Sequence, residues 1–113
     1  MTSAHIRNER DPIAQLLLGE LLGFERRHAE ALEVFDHVGD EPAALLGAAT
    51  ALLALGRPSE ALERFERCTL EAALEGRSRA LRALGRVAEA EVVFAQFVAA
   101  TQRRAELRVG AMR

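Results

Sequence analysis

Glu30-Ala31-Leu32-Glu33-Val34-Phe35 recurs as Glu60-Ala61-Leu62-Glu63-Arg64-Phe65 and again as Glu89-Ala90-Glu91-Val92-Val93-Phe94. In each copy an alanine stands four residues before a phenylalanine, which puts both on one face of a helix. Nine residues before each alanine stands a leucine: Leu22, Leu52 and Leu81. Three residues before each leucine stands a small residue: Gly19, Ala49 and Ser78. The alanines are spaced 30 and then 29 residues apart (31, 61, 90). A fixed period of that length marks an array of helix pairs.

The residue types give the period a physical meaning. The small residue on the first helix of each pair lets the second helix approach closely. The alanine sits where the second helix crosses a neighbour, and the phenylalanine fills the space one turn on. Punctuation predicts six helices. Asp11 caps the first, with Pro12 at its first position. Gly39-Asp40-Glu41-Pro42 and Gly56-Arg57-Pro58 each stop one helix and start the next. Thr69 is the expected cap of the fifth, and Gly85 ends it. The sixth runs from about Val87 past Thr101, with Ala90, Phe94, Phe97 and Val98 expected on its inner face. Glu89, Gln96, Gln102, Arg103 and Arg104 make its outer face polar, as a terminal cap requires. The fold class expected is all-α: antiparallel helix pairs stacked as a short superhelix. One domain, 1–113, holds three repeats at about 12–41, 42–70 and 71–101.

At Leu18-Gly19-x-x-Leu22 followed by Ala31-x-x-x-Phe35, the chain resembles the tetratricopeptide repeat family, whose pattern pairs Leu-Gly with a later Ala-x-x-x-Phe and a Pro. The likeness extends over roughly residues 12–101. Three features depart from it. The spacing is shorter than the family's ~34 residues. The family proline is displaced to Pro42 after the first repeat and missing after the second. Arg77 stands where an apolar residue is usual. Such a resemblance speaks to fold far more than to function.

Composition narrows the function classes. Half of the residues are apolar, and the only aromatic type is Phe. A net charge of −2 with no basic stripe gives a nucleic acid nothing to hold. The longest apolar stretch, Pro42 to Leu55, is too short to span a bilayer. Met1 to Arg10 is polar and reads as no leader peptide. A cytoplasmic location is the resulting expectation. The single cysteine, Cys68, makes no internal disulfide and falls where the family has a small buried residue, so a packed thiol is expected. His28 and His37 lie two and a half turns apart, too far for one metal ion. No metal-ligand, nucleophile-elbow or phosphate-loop motif is present. Neither an enzyme, nor a cofactor, nor a metal site is therefore expected.

In the family the first helices of the pairs line a concave surface that binds peptides. The resemblance carries that role to Ile13, Leu16, Glu20, Gly23 and Phe24 in the first repeat. In the second it falls on Ala43, Leu46, Thr50, Leu53 and Ala54. In the third it falls on Ala72, Glu75, Arg79, Arg82 and Ala83. The partner-binding candidates are Ile13, Leu16, Phe24, Leu46, Thr50, Leu53, Arg79 and Arg82. The Pro42–Leu55 stretch has no polar face beyond Thr50, so it is either a core helix or one side of an apolar groove. A guest helix with Leu or Ile at i, i+3, i+4 and i+7 suits such a groove. Leu16 and Glu20 stand where some family members use Lys and Asn to clamp an acidic chaperone tail, so a carboxylate guest is repelled. Chain length, three compact repeats and the apolar lining also resemble the small tetratricopeptide chaperones of type III secretion. These hold the needle subunit's helix with the help of a second small co-chaperone. The alternative is a self-associating scaffold, a homo-oligomer without chaperone work.

Overall fold

The computed structural model describes residues 11–112. Six helices follow one another: α1 (Pro12–Phe24), α2 (His28–Val38), α3 (Pro42–Ala54), α4 (Pro58–Arg67), α5 (Ala72–Ala83) and α6 (Val87–Ala111). Among the described residues there is no strand. Each helix packs on the next, and α3 also touches α1 and α5. The chain is thus an all-α helical-repeat stack, with α1, α3 and α5 as first helices and α2, α4 and α6 as second helices. Its extents are 50 × 43 × 23 Å. The smallest equals two helix diameters, which is the two-layer form a row of helix hairpins makes.

The turn inside each pair is built the same way three times. Arg26, Gly56 and Gly85 adopt left-handed backbone, with φ of 62°, 76° and 80°. The next residue's N–H then reaches back five positions: Arg27 to the Leu22 carbonyl, Arg57 to Leu52 and Arg86 to Leu81, each at 2.9 Å. This closes the orphan carbonyls of the first helix. Glycine takes this conformation without cost in two repeats, and Arg26 takes it against a Cβ penalty. The same arginine opens the second helix. Arg27, Arg57 and Arg86 each grip the glutamate three residues on (Glu30, Glu60, Glu89) through two hydrogen bonds of 2.6–3.0 Å. Those glutamates sit in the first turn of α2, α4 and α6, where negative charge opposes the helix dipole. Asp11 caps α1 as expected, accepting from the Ile13 N–H at 3.0 Å.

The packing centres on two phenylalanines. The Phe35 ring wedges between α1 and α3, against Gly19 on one and Gly47 on the other. A Cβ added to Gly19 would lie 2.6 Å from the ring, and one on Gly47 2.4 Å. Phe65 repeats this between α3 and α5: a Cβ on Gly76 would lie 2.2 Å away. Phe35 and Phe65 are 5% and 1% exposed. Ala31, Ala61 and Ala90, the three crossing alanines, are buried, as are Gly19, Ala49 and Ser78. Ser78 Oγ donates to the Ala90 carbonyl at 3.0 Å and so stays satisfied inside the stack.

Three sequence expectations change. Phe94 and Val98 do not face inward; both are exposed, at 45% and 37%. The inner face of α6 runs through Ala90, Val93 and Phe97 instead. The reason is positional: the site that Phe35 and Phe65 fill lies against the following first helix, and among the described residues none follows α6. Thr69 does not cap α5, which starts at Ala72 without a side-chain cap. Backbone turns from Ala73 to Leu70 and from Leu74 to Glu71 lead into it instead. Cys68 lies one residue beyond α4, half-buried, and its thiol donates to the Pro42 carbonyl at 3.3 Å.

Candidate functional site

On one side of the stack the Phe35 ring lies between α1 and α3, admitted by Gly19 and Gly47. Gly19 and Gly23 on α1 and Gly47 on α3 supply no side chain, and nothing within 4 Å would meet a Cβ on Gly23. The result is an open trough of about 380 Å³. Its floor is Ala31 and Phe35 of α2. Glu20 and Phe24 stand on the α1 wall, and Ala43, Leu46, Thr50 and Ala51 on the α3 wall, with His28 at one side. Thr50 sits among apolar groups, yet its hydroxyl donates to the Leu46 carbonyl at 2.8 Å. Its O–H is thereby spent on its own helix, though its oxygen can still accept, and Glu20 is the one carboxylate among the described residues of the lining.

A second hollow of about 300 Å³ adjoins the first across Leu46 and Thr50. It lies between α3 and α5, with Phe65 and Phe97 beneath and Glu75 and Arg79 on the α5 side. Arg79 and Glu75 are 3.9 Å apart, an exposed pair one turn apart on α5. The concave side therefore passes from an apolar trough bearing one carboxylate to a hollow whose charges include an opposed pair.

The sequence candidates divide on this geometry. Phe24, Leu46 and Thr50 line the trough, and Phe24 is 88% exposed. Arg79 lines the second hollow, which Leu46 and Thr50 share. Leu16 packs against the buried cluster of Leu22, Ala31, Phe35, Ala44 and Ala48. Leu53 packs against the larger cluster around Leu52, Phe65 and Leu81. Ile13 and Arg82 are exposed and line neither hollow. Ile13 is the counterpart of Ala43 and Ala72, which face the preceding first helix; α1 has no such helix among the described residues. Six of the 13 residues of α3 are core: Ala44, Leu45, Ala48, Ala49, Ala51 and Leu52 are buried. Gly47, Gly76 and His28 were not among the sequence candidates. The glycines had a signal in their spacing of 29 residues, two positions before Ala49 and Ser78.

Titration behaviour lies in the turns and not in the trough. The Glu30, Glu60 and Glu89 carboxyls are held below their ordinary value of 4.5, first by the hydrogen bonds from Arg27, Arg57 and Arg86. The three arginines are raised by the same bonds. Among the described residues, no three His, Cys, Asp or Glu side chains gather where they would hold a metal ion. Among the described residues, no helix is long and apolar enough to cross a membrane. No family model matches the sequence, and no curated protein matches it.

Proposed function

We propose that this chain is a tetratricopeptide-type interaction module, and that its trough holds an amphipathic helix of another protein as a chaperone holds a client. The observation that supports this reading is the trough itself: an open concavity floored by Phe35, walled by Leu46 and Phe24, and open beside Gly23. Apolar side chains entering it would contribute about 1.5–3 kcal/mol each before ordering costs. Glu20 favours a guest that carries Lys or Arg beside its apolar stripe. The narrower reading is a cytoplasmic chaperone of the type III secretion needle subunit. It rests on the sequence resemblance alone. A second small co-chaperone then has the outer face of α1 to occupy, where Ile13, Leu17 and Leu21 are each more than half exposed.

The test uses a fluorescein-labelled 20-residue peptide with Leu at i, i+3, i+4 and i+7 and Lys flanking that stripe. Micromolar binding is expected, together with helix induction in the peptide. Gly23→Arg, which fills the trough from a position with open space, should abolish binding while the circular dichroism of the protein stays unchanged. Binding that survives Gly23→Arg and Thr50→Arg alike contradicts the trough as the guest site. For the narrower reading, co-expression with a needle subunit should keep that subunit monomeric, and a needle subunit that polymerises regardless rejects it.

A further inference from the structure

α6 is 25 residues long, whereas its counterparts α2 and α4 have 11 and 10 and its partner α5 has 12. At 1.5 Å per residue it extends about twice as far as the helix it packs on. Among the described residues, the ion pair furthest along α6 joins Arg104 to Glu71, the residue just before α5. Every residue from Thr101 to Met112 is exposed. A helical overhang of this length is marginal by itself in water.

The overhang continues a stripe that starts at the other end of α6. Phe94 and Val98 lie on it, one residue round from the face that packs on α5. The stripe has strict 4-3 spacing over the whole helix, and it reads the same from both ends. About a point between Ala99 and Ala100, Val98 mirrors Thr101 and Phe94 mirrors Ala105. Glu91 mirrors Arg108, and Val87 mirrors Met112. An antiparallel copy laid on this stripe therefore places Phe94 opposite Ala105, Val98 opposite Thr101, and a carboxylate opposite a guanidinium on each side of the axis. The charge distribution agrees. Residues 87–98 carry Glu89 and Glu91 and no basic residue, while residues 101–112 carry Arg103, Arg104 and Arg108 against Glu106.

Two other occupants fit worse. A further repeat stacked in register would bury Glu91, which stands where α2 has Leu32 and α4 has the buried Leu62. The α1 helix of a second copy, stacked in register, would present Leu17 where Gly47 and Gly76 receive a phenylalanine ring. We propose that two copies of this chain pair antiparallel along α6, about a two-fold axis between Ala99 and Ala100. Each overhang then lies on the Phe94 face of the other copy, and the interface is isologous. This surface is separate from the trough, and the inference stands whether or not the trough holds a guest.

Sedimentation equilibrium on the full chain, from low to high micromolar, tests it. The parent chain should behave as a dimer that dissociates on dilution, and Phe94→Asp should give a monomer that keeps a cooperative unfolding transition and loses no more helical signal than the overhang supplies. Glu91→Arg and Arg108→Glu should each weaken the dimer about tenfold, since each turns two attractions into repulsions. The double variant E91R/R108E restores the pairing with the signs exchanged and should return to within about threefold of the parent. A parent that is monomeric throughout overturns the proposal. So does a double variant as weak as the singles, or a dimer that survives Phe94→Asp.

Discussion

Phe65 and Phe94 hold the same position in successive repeats, yet the first is 1% exposed and the second 45%. The difference lies in what comes next along the chain. After α4 comes α5, whose Gly76 lets the Phe65 ring into the joint. After α6, among the described residues, comes no helix at all. A repeat in such an array is therefore not a unit with its own core. Its aromatic residue is designed for the neighbour, and the last repeat carries that residue to the surface. The shared Glu-Ala-x-x-x-Phe pattern puts its phenylalanine in the core in one place and on the surface in the other.

The contrast can be broken most forcefully at the two rings. Phe65→Ala should destabilise the chain by about 3–5 kcal/mol, whereas Phe94→Ala should cost the monomer less than about 1 kcal/mol. Urea unfolding measured for both under monomeric conditions checks this. Equal losses would mean that the third repeat is packed like the second.

The glycines sharpen the same contrast. Gly76→Ala drives a Cβ against the Phe65 ring and should cost about 1–3 kcal/mol despite the better helix propensity of alanine. Gly23→Ala meets nothing and should stabilise by about 0.5–1 kcal/mol. Thermal melts of the pair should move in opposite directions.

At the turns the odd repeat is the first. Arg26 adopts the left-handed conformation that Gly56 and Gly85 adopt in the others. Arg26→Gly should raise stability by roughly 0.5–1 kcal/mol, and Gly56→Arg should lower it by a similar or larger amount. Unfolding midpoints with unchanged m-values would establish this.

The smallest effect is expected from acid. Glu30, Glu60 and Glu89 have carboxyls lowered from 4.5 in the folded chain, chiefly by the arginine hydrogen bonds. Their contribution is complete above that ordinary value and is lost as pH falls through the lowered ones. The matching arginine contributions would be lost only in strong alkali. The melting temperature should therefore decline below pH 4.5, and the triple variant with Arg27, Arg57 and Arg86 each changed to Gln should decline less. All six groups are solvent-exposed, so salt should shrink the difference.

The repeat pattern made the fold legible. Ala31, Ala61 and Ala90, together with Gly19, Ala49 and Ser78, identified where helices cross, and the turn glycines identified most of the boundaries. The first turn escaped because its left-handed residue is an arginine. The fifth helix began late because Thr69 is followed by a backbone turn rather than a cap. The site was legible in part. Leu46, Thr50 and Phe24 follow from their place on the first helices. Leu16 and Leu53 did not separate from them, because apolar residues on a helix hydrophobic all round carry no mark of which side is covered. Gly47 and Gly76 were missed for a related reason: their role is to be absent from a joint that only the neighbouring phenylalanine defines.

The most direct test of the trough is amide chemical-shift mapping of the ¹⁵N-labelled chain titrated with the amphipathic peptide. The changes should concentrate at Glu20, Gly23, Gly47 and Thr50, with α6 beyond Thr101 unmoved. Changes centred on Phe94 and the α6 stripe, or none at saturating peptide, would contradict the assignment of the trough as the site that holds a guest.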